Sequence, residues 1–470
     1  MRVATVLLLS ILCLSVNATD IAPLQVGAAT TIITPPVGSW QQGAGAAKKG
    51  EYIRDELEAN VLYLSDGATP LLLISCDLVG LSLPDVIPMR DAISTATGVP
   101  PRQIVITCTH THSGPSLLKT NYHMPVDRAY IEGLRPKLVA LCKNAVDGAH
   151  PGKLGWALGE AQIGYNRRVC WEDGTHSMHG NTKRDDFAGL EGPDDPAHLA
   201  LFAADAAGKP VAVLYHNTSH PTNFYAAGLF SADYPDETRK ILRGKLGEIP
   251  VLYLNGAQGD IAMQDLLNPH KEEREERLFR IGRMLAEETL RLHEDVTYHD
   301  RVRLGHEVKD LEIAVRLPKP EAVKEARKVL ARVDAGEDIR GMKLILPFGT
   351  VHLQETYGDN PVDTLPVHAI RIGDVALVTQ PCELYCQFGL DIKRRSPAPR
   401  TPRDSTTPTH LRQERPSRGC PPAITPPPRR TASQHRAIAF LTTHAKPALM
   451  GRTQLSSRTP PVTTSSREFT

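Results

Sequence analysis

The chain is organised around the stretch Gln103-Ile104-Val105-Ile106-Thr107-Cys108-Thr109-His110-Thr111-His112-Ser113-Gly114-Pro115. The apolar run near its start predicts a buried strand, and Gly114-Pro115 predicts the turn that ends it. His110 and His112 are two residues apart, so on an extended strand both side chains point to the same face. Two imidazoles at the end of a buried strand indicate a metal site or an acid–base pair. A pair of hydrogen-bonded surface histidines would have the same spacing.

The segments around this stretch alternate between strand and helix patterns. Apolar runs at 61–64 and 71–76 flank Ser65-Asp66-Gly67 and predict a hairpin, and a helix predicted at 85–97 ends at Gly98. Periodicity predicts further helices at 126–147, 271–293 and 318–333, and further strands at 153–158, 198–203, 210–215, 250–254, 301–316, 366–372 and 375–379. A strand–helix–strand order favours a layered fold. We therefore expect an α/β fold with a mixed β-sheet core and flanking helices.

The composition excludes several classes of protein. The 470 residues carry a formal net charge of +1; 41% of them are hydrophobic and 5% are aromatic. A chain that is nearly neutral and poor in aromatic side chains lacks the basic patches and stacking surfaces that bind nucleic acids. The hydrophobic content is sufficient for a large core, and residues 19–396 are predicted to form one globular unit.

The first eighteen residues have the pattern of a secretory signal peptide. Arg2 precedes an apolar run at 3–14, and Val16-Asn17-Ala18 has the small residues of a cleavage site. The apolar run is too short to span a bilayer. The sequence therefore predicts an exported protein, periplasmic or extracellular, that is cleaved after Ala18.

The composition changes after Ser396. Residues 397–470 contain 13 of the 38 prolines, no tyrosine and only three acidic residues, Asp404, Glu414 and Glu468. Such a segment buries too little apolar surface to offset the entropy lost when it is ordered. We interpret residues 397–470 either as a disordered basic appendage or as the translation of a wrong reading frame.

Four loops after predicted strands carry polar residues suited to catalysis. They contain His110 and His112, Asn166-Arg167, His220-Pro221, and the segment 256–262. Loops at the strand ends of an α/β sheet converge on one crevice. Two imidazoles and one carboxylate would form a catalytic zinc site with an open position. Glu383, which follows the last predicted strand, is a candidate for the carboxylate.

An ordered set of motifs resembles the neutral/alkaline ceramidase family. Thr109-His110-Thr111-His112-Ser113-Gly114-Pro115 is similar to the THTHSGP signature of that family. Five further motifs of the family occur in the same order in this sequence. They lie at 34–38, Asn166-Arg167, Ser219-His220-Pro221, 255–260 and Glu383. The resemblance covers residues from about 27 to 396. It implies the fold of the neutral ceramidase N-terminal catalytic domain and hydrolysis of an N-acyl sphingoid amide.

The resemblance also implies a zinc ion held by two histidines, one glutamate and one tyrosine. Carried over to the matching positions, it makes His110, His220 and Glu383 the metal ligands. His216 lies four residues before His220 and is interpreted as a supporting residue, because only His220 precedes the proline of the motif. The family's tyrosine lies well after the glutamate, whereas no tyrosine follows Tyr385 here. The expected cofactor is Zn²⁺ with three protein ligands.

The same resemblance assigns catalytic roles to His112, Arg167 and Asp260. His112 would hydrogen-bond the substrate or shuttle protons, and Arg167 would bind the substrate or the developing oxyanion. Asp260 lies in Gly259-Asp260-Ile261-Ala262, where the family has Gly-Asp-x-Ser. Alanine can neither attack a carbonyl nor donate a hydroxyl hydrogen bond. The expected reaction therefore uses metal-activated water.

The sequence thus predicts an exported zinc-dependent hydrolase of the neutral ceramidase type, which cleaves the amide of an N-acyl lipid. Peripheral contact with a membrane is compatible with such an amphiphilic substrate, and neither a protein partner nor a nucleic acid is indicated. Two alternatives stay open: a non-catalytic relative that binds a lipid or glycan, and a metal hydrolase of an unrelated amide or ester. His176 and His179 could also bind a metal, but their polar, Gly-rich segment is typical of a solvated loop.

Overall fold

The computed structural model describes residues 21–43 and 47–396, together with the backbone of 400–401, 435–436 and 438–442. The predicted signal peptide, residues 1–18, lies outside these residues, and so does most of the predicted tail. Both interpretations therefore stay predictions.

The described elements are named in chain order. The helices are α1 (Leu83–Thr97), α2 (Arg128–Asp147), α3 (Tyr234–Leu246), α4 (Arg274–Glu294), α5 (Pro320–Asp334), α6 (Met342–Tyr357) and α7 (Cys386–Arg395), with a 3-10 turn at Pro101–Gln103. The strands are β1 (Gln25–Ile32), β2 (Trp40–Gln41), β3 (Lys48–Lys49), β4 (Tyr52–Ile53), β5 (Glu58–Ser65), β6 (Pro70–Cys76), β7 (Ile104–Cys108), β8 (His150–Glu160), β9 (Tyr165–Asn166), β10 (Arg168–Trp171), β11 (His176–Met178), β12 (Phe187–Leu190), β13 (Ala197–Asp205), β14 (Pro210–Asn217), β15 (Leu229–Phe230), β16 (Val251–Asn255), β17 (Ile261–Ala262), β18 (Tyr298–His299), β19 (Leu304–Ala314), β20 (Val362–Ile372), β21 (Val375–Gln380), β22 (Arg400–Thr401), β23 (His435–Arg436) and β24 (Ile438–Thr442).

A nine-stranded sheet, here called the main sheet, forms the centre of the described fold. Its strands lie in the order β16-β14-β13-β8-β1-β5-β6-β7, and β18 also pairs with β8. β14 and β16 pair in parallel, as do β6 and β7, whereas the other neighbours are antiparallel. This mixed sheet with flanking helices confirms the expected fold class.

Both faces of the main sheet are covered. On one face, Ile74 and its neighbours pack against α1 and α2, and the strands at the other end pack against α3 and α4. On the opposite face, Leu73 belongs to a cluster with Ile370 and Leu377 of a second sheet, formed by β19, β20, β21 and β24. Successive side chains of a strand point to opposite faces. A strand buried on both faces therefore appears in the sequence as a continuous apolar run.

Several predicted elements are confirmed by the structure. The hairpin around Ser65-Asp66-Gly67 is formed by β5 and β6, with Leu62 opposite Leu73. Helix α1 ends as predicted at Gly98, whose φ of 75° suits glycine. The last two predicted strands, 366–372 and 375–379, lie within β20 and β21, which pair as an antiparallel hairpin. Among the described residues, the helices are either too short or too polar to cross a membrane.

Helices α3, α6 and α7 have no counterpart among the predicted elements. The buried residues of α3 include Asp236, Glu237 and Arg239 beside the apolar Tyr234 and Leu242. Arg239 is held inside by Asp77, which accepts a hydrogen bond from its Nη2 at 2.9 Å. A helix that buries paired charges lacks the apolar periodicity from which helices are predicted.

Candidate metal centre

The candidate site lies where the ends of β7, β14 and β16 come together. β7 and β16 stand at opposite ends of the main sheet, yet Asn255 Nδ2 donates a hydrogen bond to the Thr109 carbonyl at 3.0 Å. Ser75 Oγ of β6 also donates to the Tyr253 carbonyl of β16 at 2.7 Å. The main sheet therefore curls until its two edges meet. This curling brings together the loops that were expected to share one crevice.

The structure corrects one expectation about His110 and His112. β7 ends at Cys108, and His110 has a φ of 70°, so the alternation of side chains along a strand does not apply to these residues. A turn brings the rings together instead. The ring centroids of His110 and His112 are 4.9 Å apart, and they lie 4.9 and 5.5 Å from that of His220. Because His110 is only 2% exposed, a pair of surface histidines is excluded.

Backbone carbonyls hold all three imidazoles. His110 Nδ1 lies 2.7 Å from the Val79 carbonyl oxygen, and His112 Nδ1 lies 2.9 Å from that of Gly43. His220 Nδ1 lies 2.9 and 3.0 Å from the carbonyl oxygens of Gln258 and Ile261. A carbonyl oxygen can only accept a hydrogen bond, so each Nδ1 carries the proton. Each neutral ring therefore has its lone pair on Nε2.

The free ring nitrogens suit a metal ion. Nε2 of His110 and of His112 are buried and have no hydrogen-bond partner among the described residues. The three imidazoles each offer one ligand atom within 4.8 Å of the others. Metal-binding histidines show the same arrangement, with one nitrogen anchored and the other directed at the ion. The residues present therefore fit a metal, and His112 joins His110 and His220 as a candidate imidazole ligand.

Glu383 reaches the site from the loop after β21. Its Oε1 lies 3.8 Å from His110 Nε2, and its Oε2 lies 3.5 Å from His220 Nε2. Burial opposes ionisation, but the positive charge that the imidazoles of His110 and His220 carry when protonated at low pH holds the pKa of the Glu383 carboxyl below its usual range. An ionised carboxylate beside ring nitrogens is a donor set that Zn²⁺ prefers.

Arg167 places a guanidinium beside the imidazoles. Its Nη2 donates to the Gly259 carbonyl at 3.0 Å and lies 3.3 Å from His220 Nε2. Burial lowers the pKa of Arg167, whereas the charge of Glu383 opposes that shift. Burial and then the charge of Arg167 lower the pKa of His220 to about 3, so this ring is neutral at pH 7. A buried cation at this position can stabilise a developing oxyanion.

Both carboxylate oxygens of Asp260 accept hydrogen bonds. Oδ2 accepts a hydrogen bond from Asn166 Nδ2 at 2.8 Å, and Oδ1 accepts one from the backbone N–H of Cys386 at 2.7 Å. Its backbone carbonyl accepts the N–H of Arg167 at 2.8 Å. These are the contacts of a positioning residue that joins the segments bearing Arg167 and Glu383. The catalytic role expected for Asp260 stays a prediction.

The groups that anchor the imidazoles have no recognisable pattern in the sequence. Val79 and Gly43 act through their carbonyl oxygens, which carry no residue-specific signal in a sequence. His216 lies on β14, and its Nδ1 lies 3.0 Å from the Leu254 carbonyl oxygen. It does not belong to the group of imidazoles that could hold a metal. Burial and the charge of Lys393 lower the pKa of His216 to about 3. This placement agrees with its interpretation as a supporting residue.

Gly259 allows two loops of the site to approach closely. A Cβ added at this position would lie 2.4 Å from the Glu383 carbonyl oxygen and 2.9 Å from a ring carbon of Tyr385. The backbone N–H of Gly259 donates to the Leu384 carbonyl at 2.9 Å. Only glycine fits between these atoms, so residue 259 fixes the position of Glu383.

We expect Gly259→Ala to weaken zinc binding about 10- to 100-fold, because the added methyl group displaces the segment that carries Glu383. The dissociation constant is measured by competition with a chromophoric chelator. Gly133→Ala is the matched control, since a Cβ at this position of α2 meets nothing within 4 Å. It should leave zinc binding unchanged and stabilise the helix by up to ~1 kcal/mol. Equal zinc affinity in both variants would contradict the role of Gly259.

Comparison with known proteins gives matches only among solved structures. No family model and no curated protein matches the chain. The crystal structure of neutral ceramidase from Pseudomonas aeruginosa matches with a TM-score of 0.60 and 16% identity, over 80% of this chain and 65% of that one. A structure of a ceramidase complexed with C2 matches with a TM-score of 0.56 and 17% identity, over 80% and 66% of the respective chains.

The two matches cover only part of each solved structure. The chain spans 65% and 66% of the lengths of the two solved structures. The part of this chain that the structure describes has a mixed main sheet flanked by helices. At 16% and 17% identity the likeness concerns the fold, and the described chain has the fold of the neutral ceramidases.

Proposed function

We propose that the chain is a zinc-dependent hydrolase that cleaves the C–N bond of an N-acyl lipid amide. One observation carries the proposal: His110, His112 and His220 all bind backbone carbonyls through Nδ1, which leaves the Nε2 atoms of His110 and His220 for a metal and that of His112 for the substrate or water. The neutral ceramidase fold supports a lipid amide as the substrate class. One of the matching structures is of a ceramidase complexed with C2.

His110, His220 and Glu383 would hold the ion, with His112 beside it. Two imidazoles and one carboxylate are a common ligand set for catalytic zinc, and they leave a position open for water or substrate. Bound zinc supplies Lewis acidity, which lowers the pKa of water and polarises a carbonyl. The hydroxyl of Tyr385, the last tyrosine in the sequence, accepts a hydrogen bond from Arg168 Nη1 at 3.4 Å.

The chain's own residues would orient the substrate and move protons. Arg167 is placed to hydrogen-bond the oxygen that becomes negative when water adds to the amide. Burial lowers the pKa of His112 well below its usual range, so its Nε2 is a free base at neutral pH. This nitrogen can accept a hydrogen bond from the attacking water and relay its proton only transiently to the leaving amine, because so low a pKa makes the ring a weak base. Ala262 has no hydroxyl, so the attack relies on water.

Metal removal and restoration test the proposal. The full chain, dialysed against a chelator, should stop hydrolysing a short-chain ceramide, and stoichiometric Zn²⁺ should restore turnover. Mg²⁺ should not, because imidazole ligands favour zinc over magnesium. Mass spectrometry should detect free sphingoid base and fatty acid in equal amounts. Turnover that survives complete metal removal would overturn a metal-dependent mechanism.

A non-catalytic relative is the second candidate function, and Ala262 in place of the family's serine favours it. Such a protein would bind ceramide in a sedimentation assay with vesicles but release no product after zinc loading. A hydrolase of an unrelated amide or ester would instead show zinc-dependent turnover of activated esters or short amides and none of ceramide. The same zinc-loaded and zinc-free samples therefore separate all three functions.

A further inference from the structure

We propose that Asp195 and Lys393 are positioning residues of the candidate metal centre, and that their ion pair fixes the segment that carries Glu383. Lys393 Nζ lies 2.6 Å from Asp195 Oδ2, and the two residues are 9% and 5% exposed. They are here called the buried ion pair. The inference rests on the proposed function, because it assigns to this pair an effect on the affinity for zinc.

Helix α7 turns a lysine inward and its large apolar side chains outward. Its buried residues are small apart from the lysine, and they are Cys386, Gly389 and Lys393. Phe388 and Ile392 are 56% and 38% exposed. A surface helix normally buries an apolar stripe. Because α7 buries little apolar surface, its position depends on the contact that Lys393 makes.

The contact with Asp195 explains why a lysine is buried here. Burial alone would raise the pKa of Asp195, but the charge and the hydrogen bond of Lys393 hold it below its usual range. Arg394 and Arg395 are exposed, so the carboxyl end of α7 already has cations that interact with its dipole. Burial of an ammonium costs free energy that a well-placed partner offsets. The buried ion pair therefore fastens the carboxyl end of α7 to the segment before β13.

The amino end of α7 is fixed at the metal centre itself. Asp260 Oδ1 accepts a hydrogen bond from the backbone N–H of Cys386 at 2.7 Å. The Leu384 carbonyl accepts one from the N–H of Gly259 at 2.9 Å. Glu383 lies directly before these contacts in the chain. Since a helix moves as a rigid element, the contacts at both ends of α7 determine where the Glu383 carboxylate lies.

The carboxylate of Asp195 also contacts the segment that carries His220. Thr218 Oγ1 lies 3.5 Å from Asp195 Oδ2, two residues before His220. Thr218 is tightly enclosed, because a Cβ added at Gly256 would lie 2.0 Å from its Oγ1 and one at Gly164 would lie 2.1 Å from its carbonyl oxygen. Asp195 therefore offers α7 a fixed point of attachment beside the other metal-binding segment.

Zinc binding by the full chain tests this role. Lys393→Met keeps most of the side-chain volume but leaves the Asp195 carboxylate buried without its partner. We expect this variant to bind zinc about 10- to 100-fold more weakly in competition with a chromophoric chelator. Lys393→Arg keeps a cation at this position and should retain most of the wild-type affinity.

The double variant Asp195→Asn/Lys393→Met separates positioning from stability. It leaves no buried charge unpaired, so its Tm should return towards the wild-type value. Its zinc affinity should stay low, because α7 is still detached from the segment before β13. If zinc affinity recovered together with Tm, the buried ion pair would have a structural role only and the inference would be wrong.

A change at Glu383 tests whether the pair acts through this ligand. In Glu383→Ala, zinc is bound by the remaining imidazoles, and adding Lys393→Met should weaken binding at most about twofold. An equal loss in the wild-type and Glu383→Ala backgrounds would contradict action through Glu383.

Lys143→Met is the matched control, because Lys143 pairs with Asp147 at 2.7 Å on the exposed face of α2. It should bind zinc as tightly as the wild type does. If the wild type bound zinc and the Lys393→Met and double variants bound it equally tightly, this inference alone would fail. A wild type that bound no zinc would overturn the proposed function as well.

Discussion

His110→Asn is expected to lose bound zinc and to hydrolyse ceramide at least about a thousandfold more slowly than the wild type. Asparagine tolerates the φ of 70° at this position, so the turn after β7 should persist. Its short amide cannot bind the Val79 carbonyl and also offer a ring nitrogen to the metal. Zinc per mole of protein, by mass spectrometry of the metal, and the rate of sphingoid base release measure the effect.

A second histidine provides the control for this variant. His123 is exposed in the segment that follows the imidazole cluster. His123→Asn should retain stoichiometric zinc and full turnover. If His110→Asn kept wild-type zinc content, His110 would not be a ligand, whatever its activity. Thermal unfolding of both variants distinguishes a lost ligand from a lost fold.

Arg167→Met should reduce kcat about 100- to 1000-fold while zinc stays bound. Methionine fills much of the same buried volume but cannot stabilise the negative oxygen of the intermediate. It also removes a cation whose Nη2 lies 3.3 Å from His220 Nε2, so zinc affinity should stay equal or rise. Steady-state kinetics and zinc competition on the same preparation give both quantities.

The neighbouring arginine is a matched control for Arg167. Arg168 lies at the start of β10 and pairs with Glu191 and the Tyr385 hydroxyl, away from the imidazoles. Arg168→Met should therefore change kcat much less than Arg167→Met. If Arg167→Met lost zinc together with activity, the guanidinium would hold the site together and the proposed role at the oxyanion would be wrong.

Apolar periodicity was sufficient to predict the layered fold. The runs that became β5, β6 and β7 are buried on both faces, so their sequence carries a strong signal. Helix α3 was not predicted because charged side chains interrupt the apolar pattern of its inward face. Their burial is possible because Arg239 pairs with Asp77, a contact that exists only in the folded state. Burial of charge depends on partners that are distant in the sequence, which a local pattern cannot contain.

The candidate site was predicted in part by spacing and in larger part by resemblance. The spacing of His110 and His112 suggested two imidazoles on one face, but the left-handed turn at His110 brings them together instead. Ordered motifs brought His220, Glu383 and Arg167 into the same expected site, and the structure places them within contact of one another. The linkage through Asp260 and the fit at Gly259 depend on tertiary contacts.

Because main-chain carbonyls anchor the imidazoles, most of the residues that supply these carbonyls can be substituted. Every residue offers the same carbonyl oxygen, so Val79, Gln258 and Ile261 can be exchanged for other residues without altering which ring nitrogen faces the candidate metal centre. Gly43 is the exception, since its φ of 104° and a Cβ distance of 2.5 Å to His112 Cα exclude a side chain. A site built on backbone atoms can therefore keep its geometry while most of the surrounding sequence diverges.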